Sequence, residues 1–72
     1  MKNYLNLGGN SNVKFYDYDA TSIKIQFSTG APYIYSYQSA GRENVENMKR
    51  LADRGVGLNS FVMRNARKLY VR

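Results

Sequence analysis

Phe27-Ser28-Thr29-Gly30-Ala31-Pro32-Tyr33-Ile34-Tyr35-Ser36-Tyr37 is the stretch that decides how this chain folds. Gly30 supplies the positive φ that a short hairpin loop needs. Pro32 stands at the start of the second arm, where a missing N–H is tolerated. Successive side chains of an extended arm point to opposite faces, so Tyr33, Tyr35 and Tyr37 are expected on one face and Ile34 and Ser36 on the other. The first arm, Ser22 to Ser28, alternates as cleanly, with Ile23, Ile25 and Phe27 inward and Lys24 and Gln26 outward.

Upstream, Val13 to Tyr18 is aromatic and β-branched and suits a further strand. Neither of its faces is uniformly apolar, because Val13, Phe15 and Asp17 alternate with Lys14, Tyr16 and Tyr18; a β-bulge that re-aims part of the strand resolves the conflict. Asp19-Ala20-Thr21-Ser22 supplies turn residues able to bond local backbone. The three strands form an antiparallel meander. Residues 1–10, rich in Asn and Gly and ending at Gly8-Gly9-Asn10, read either as a flexible N-terminal arm or as an extra edge strand through Tyr4-Leu5-Asn6-Leu7.

Downstream the period changes from two to about 3.6. Val45, Met48, Leu51 and Ala52 share one helix face, while Arg42, Glu46, Lys49, Arg50 and Asp53 share the other. The i to i+4 spacing pairs Arg42 with Glu46 and Glu46 with Arg50. Ser39 is the expected N-cap and Gly55 the residue just past the C-terminus. After Val56-Gly57-Leu58, a second helix capped by Asn59 or Ser60 runs to about Leu69, with Leu58, Val62, Ala66 and Leu69 as its apolar stripe. The expected fold class is α+β: a three-stranded antiparallel meander followed by two amphipathic helices packed on one face (β-β-β-α-α), in two layers, with residues 11–72 as a single domain. Its core is read as Tyr18, Ile23, Ile25, Phe27, Tyr33, Tyr35, Val45, Met48, Leu51, Leu58, Val62 and Ala66.

The 72 residues leave room for one small core, and with neither cysteine nor histidine the chain has no disulfide and no usual zinc ligand set to reinforce it. Self-association as a homodimer is one way to supply the rest. No apolar run approaches the roughly 20 residues of a membrane span, and residues 1–10 lack the design of a signal peptide. A soluble, cytoplasmic protein without membrane contact is expected.

The eleven basic residues outnumber five acids, for a net charge of +6. Eight of the basic residues, against three acids, lie in 42–72, so eight minus three places +5 of that charge there. Such a field favours anionic partners, either nucleic acid or an acidic protein surface, although small basic proteins without a specific partner are also common.

The ordered set of motifs resembles the KTSC domain, a small module also found at the C-terminus of some lysyl-tRNA synthetases. The residues that carry the likeness are Ser11 and Val13, Tyr18-Asp19, Ile23 to Phe27, Gly30, Tyr33-Ile34-Tyr35, the 42–54 helix, and Gly57-Leu58-Asn59 followed by Val62 and Arg64. The chain departs from the family in having Ser39-Ala40-Gly41, an enlarged loop, where a Val-Pro pair often opens the first helix. Leu58 stands where an aromatic is usual. The resemblance implies the same α+β fold and, by association, RNA binding.

Two functions are weighed. The first is a non-catalytic module that binds nucleic acid, RNA favoured, in which Arg64, Arg67, Lys68 and Arg72 neutralise phosphates and Tyr37 or Tyr70 stacks on an unpaired base. Part of that charge has another reading, since cations near a helix C-terminus are favoured by the macrodipole. Tyr33 and Tyr35 read first as core residues with hydroxyls at the rim. The second is a protein-interaction or inhibitor module, such as a phage or mobile-element accessory protein that blocks a larger enzyme, with Tyr4, Leu5, Leu7 and Phe61 as anchors. Catalysis is not expected without His or Cys, nor is a cofactor. Asp17 and Asp19 are read as turn residues rather than as cation ligands, and Gly8-Gly9 and Gly55-Val56-Gly57 lack the continuation of a phosphate loop.

Overall fold

A computed structural model describes residues 2–7, 12–28, 30 and 32–71. The expectations placed on Gly8-Gly9, Ser11, Thr29, Ala31 and Arg72 fall outside the described residues. Strands β1 (Lys2–Asn3), β2 (Val13–Tyr18), β3 (Ser22–Phe27) and β4 (Pro32–Ser36) form one antiparallel sheet in that order. Among the described residues the sheet therefore has four strands, not three. The fourth is Lys2–Asn3 rather than Tyr4 to Leu7, for a local reason. After Tyr4 N–H donates to the Lys14 carbonyl at 2.9 Å, the chain turns through Asn6, whose φ is +52°. Leu7 N–H then donates to Gly55 O at 2.7 Å.

The register explains which side chains are buried. Tyr16, Ile25 and Tyr33 stand in one row across the sheet and Tyr18, Ile23 and Tyr35 in the next, all on the helix side. A shift of register between Val13 and Phe15 is the expected bulge, and it turns both Val13 and Tyr16 inward. Tyr16 and Val13 thus replace Tyr18 in the core. Tyr18 is 37% exposed, because the part of the helix layer it meets presents the Asp53 carboxylate rather than an apolar side chain. Tyr35, 2% exposed, lies at the centre with Ile23, Ile25, Val45, Met48, Leu58 and Val62. Tyr33 and Leu51, also expected inside, are only half-buried.

Tyr37 does not continue the tyrosine ladder. Ser36 Oγ accepts from Ser39 N–H and Ser39 Oγ accepts from Ser36 N–H, each at 3.0 Å, a reciprocal capping box. It starts a one-turn helix α1 (Tyr37–Ala40). Ser39 therefore caps within this turn rather than at the start of α2 (Arg42–Arg54), and Ser39-Ala40-Gly41 is not an enlarged loop. Helix α2 buries Val45, Met48 and Ala52 against the sheet. It ends at Gly55, where a left-handed φ of +79° lets the N–H reach the Leu51 and Ala52 carbonyls. Leu5 packs so close over Gly55 that a Cβ there would meet its side chain at 2.6 Å.

Helix α3 (Leu58–Phe61) follows Gly57 with no side-chain cap from Asn59 or Ser60, and continues as a π-helical segment, Val62–Ala66. Leu58, Val62 and Ala66 are buried as expected, but Leu69 is 39% exposed. The chain leaves the π segment through a bond from Leu69 N–H to Ala66 O, and Val71 N–H then donates to Ile34 O on the free edge of β4 at 2.6 Å. Those two anchors carry Tyr70, not Leu69, onto the core. No helix among the described residues is long and apolar enough to cross a membrane.

Candidate nucleic-acid interface

Where the C-terminal segment returns to the edge of β4, it leaves a groove of about 380 Å³ between the sheet and the π-helical segment. Its floor and one wall are aromatic. Tyr70 lies against Tyr33 with ring centroids 4.7 Å apart and meets Tyr35 edge-on at 6.4 Å, while Phe27 packs edge-on against Tyr33 at 5.6 Å. The opposite wall comes from the helical segment, with Asn59, Met63, Arg67 and Lys68, and Asn12 closes the end beside β2. Local sequence accounts for each position. Tyr33 and Tyr35 alternate with Ile34 on β4, and Asn59, Met63 and Arg67 recur at four-residue intervals along one helix face.

The electrostatics are one-sided. Arg67 and Lys68 are exposed, and among the described residues neither enters an ion pair. Among the described residues no carboxylate lines the groove. The side-chain amides of Asn12 and Asn59 likewise take part in no hydrogen bond among the described residues. Burial pushes the Tyr35 hydroxyl up to about 12, so it stays a neutral donor. The groove thus offers aromatic surface, two uncommitted amides that both donate and accept, and two uncompensated cations.

The structure brings only some of the sequence-derived residues together. Arg67, Lys68 and Tyr70 share the groove. Arg64 is exposed on the same helical segment but does not line it. Arg72 lies outside the described residues. Tyr37 is elsewhere and already engaged, its hydroxyl donating to Glu46 Oε2 at 2.6 Å and its ring lying 5.5 Å from Lys49 Nζ and 6.0 Å from the Arg42 guanidinium. Asn12, Asn59 and Met63 were missed. Nothing local signals them, because two asparagines that far apart in sequence read as turn and cap residues until the fold joins them.

Among the proposed protein-contact residues, Tyr4 requires a correction. It is buried, packs edge-on against Tyr16 at 6.5 Å, and its hydroxyl accepts from Leu58 N–H at 3.2 Å. The uncapped start of α3 needs that acceptor, so Tyr4 is not a surface anchor. Phe61 is half-buried against the core. Leu5 and Leu7 are 63% and 70% exposed.

The opposite end of the molecule concentrates the acids. Tyr16 and Tyr18 both donate to Asp53, at 2.7 and 2.8 Å. Lys49 pairs with Glu46 at 2.8 Å and reaches Ala20 O at 3.2 Å, so the i to i+4 pairs expected on α2 are replaced by this i to i+3 pair. Arg50 turns to Asn47 instead. The Tyr16 and Tyr18 hydroxyls hold the Asp53 carboxyl below the usual range, and Lys49 and Tyr37 do the same for Glu46. Burial first, and the Asp53 bond second, push Tyr16 up to about 12. The Asp19 Oδ1 atom accepts from Thr21 N–H, Ser22 N–H and the Ser22 hydroxyl, which makes it a turn anchor. Among the described residues no three acidic, His or Cys side chains gather as metal ligands would.

No family model matches the chain, nor does any curated protein or solved structure.

Proposed function

We propose that this protein is a small non-catalytic module that binds nucleic acid, RNA by preference, through the groove between β4 and the basic helical segment. The observation that carries the proposal is the convergence of Arg67 and Lys68, both without a carboxylate partner among the described residues, on an aromatic and amide-lined groove. Cations that release counterions from phosphates supply affinity without sequence preference, and exposed aromatic surface supplies stacking. The preference for RNA rests on the resemblance to the KTSC module, which belongs to the same proposal and rests on the ordered residues alone. Anisotropy titrations of labelled RNA and DNA at two salt concentrations test the reading. Binding that weakens steeply with salt is expected; absence of binding near physiological salt would remove it.

A second reading, an interaction or inhibitor module, draws on Leu5 and Leu7, which are both largely exposed and are both held at Gly55. Two exposed leucines held at one place on the surface favour a protein partner. Affinity capture with the intact chain and with both leucines replaced by Ser separates the two readings, because the groove lies elsewhere.

A further inference from the structure

We infer that the groove is a subsite for one unpaired nucleobase together with its adjoining phosphate, so that the protein distinguishes single strands, loops or ends from duplex. The inference rests on the nucleic-acid reading above and adds what the groove itself recognises.

Three observations carry it beyond charge. The volume, about 380 Å³, falls at the lower end of sites that hold small molecules, about 300–1,000 Å³. That suits a flat ring with its sugar, whereas a duplex presents its bases stacked and paired, with only their edges in the grooves. Tyr33 and Tyr70 are half-buried and both line the groove, and every base has a π-face to lay on an accessible ring. The Asn12 and Asn59 amides have no hydrogen-bond partner among the described residues. Each carries both a donor and an acceptor, the combination that reads the Watson–Crick edge of an unpaired base.

Charge sets the orientation. Arg67 and Lys68 lie on the helical wall with no acid among the described residues of the groove, so the phosphate belongs on that side and the base against the tyrosines. A neutral apolar ligand would leave the two cations and both amides unused. A peptide carboxylate would satisfy the cations and leave the aromatic floor without a stacking partner.

The experiment compares a single-stranded RNA oligonucleotide with the blunt duplex formed by its complement, against the intact chain and three variants. The strand is expected to bind about tenfold tighter than the duplex, the scale of one stacked base. Asn12→Leu/Asn59→Leu should remove that preference by weakening strand binding about tenfold, and Tyr70→Leu should do the same where it folds. The asparagine pair keeps the test open if Tyr70→Leu does not fold, since Asn12 is exposed and Asn59 half-buried. Arg67→Ala/Lys68→Ala should weaken strand and duplex alike. Adenosine and uridine monophosphates, added to the isotopically labelled protein, should shift the ring resonances of Tyr33 and Tyr70. Equal affinity for strand and duplex, with the Arg67 and Lys68 substitutions still weakening both, would overturn the base subsite and leave nucleic-acid binding standing. Failure to bind either would overturn both.

Discussion

The two ends of this molecule use the same kinds of side chain for opposite purposes. At the acidic end, Tyr16, Tyr18 and Tyr37 each donate a hydroxyl hydrogen bond to a carboxylate, and Lys49 completes the set with Glu46 and a backbone carbonyl. Lys2 lies over two of the rings, 5.2 Å from Tyr18 and 5.9 Å from Tyr16. At the groove end, Tyr33 and Tyr70 lie together, and the nearby cations and amides have no partner among the described residues. Satisfied polar groups hold an edge of the sheet to its helix; unsatisfied ones are available to a ligand. Composition alone draws no such line, since tyrosine and basic residues occur at both ends.

The largest expected effect removes what the two ends share. Tyr35→Ala deletes the ring at the centre of the core and should cost about 3 kcal/mol or more, enough to unfold so small a domain. Chemical denaturation measures it, and a variant of normal stability would show that the ends are held independently.

Asp53→Ala sharpens the comparison from the acidic side. It strips the acceptor from the Tyr16 and Tyr18 hydroxyls and should cost about 1 kcal/mol, since the site is partly screened by solvent. RNA affinity measured below the melting temperature should not change. The Tyr16 ring, now without an acceptor, should also titrate closer to the ordinary tyrosine value.

Changing pH makes the same distinction without mutation. Asp53 and Glu46 ionise more readily in the folded protein than in the unfolded chain. Their contribution is therefore fully present above the usual carboxylate range of about 4. It is lost as pH falls through the lowered folded values. Tyr16 and Tyr35 are raised to about 12, so theirs is present below the ordinary tyrosine value of about 10 and lost as pH rises toward 12. Melting temperatures across pH should fall at both extremes, and the ultraviolet titration should contain a late tyrosinate step that exposed tyrosines do not give.

The elements carried by local pattern were legible before the structure was. Ser22 to Phe27 alternates without exception, the 42–54 helix shows its apolar face, and Gly55 marks the helix end by the one conformation it adopts freely. What escaped depends on partners remote in sequence. Tyr18 shares a row with Ile23 and Tyr35 and so reads as core, yet the helix layer offers it a carboxylate. Tyr4 reads as part of an arm because its role is to supply an acceptor to Leu58 N–H, at the far side of the chain. Leu69 continues a helical stripe on paper, whereas the bond between Val71 and Ile34 puts Tyr70 in its place. For the candidate site, Arg67, Lys68 and Tyr70 were readable as basic and aromatic residues near the C-terminus, and the asparagines became visible only through the groove.

The smallest expected effect on stability belongs to the groove cations, and it leads to the most direct test. Arg67→Ala/Lys68→Ala and Lys14→Ala/Lys24→Ala remove equal charge from exposed positions, the first pair at the groove and the second on β2 and β3. Each should change stability by less than about 0.5 kcal/mol. Titrating both against single-stranded RNA over a range of salt concentrations separates placed charge from net charge. The expected result is that only the groove pair loses affinity, with its salt slope flattened by about 1.5; equal losses from the two pairs would contradict the assignment of the groove as the binding site.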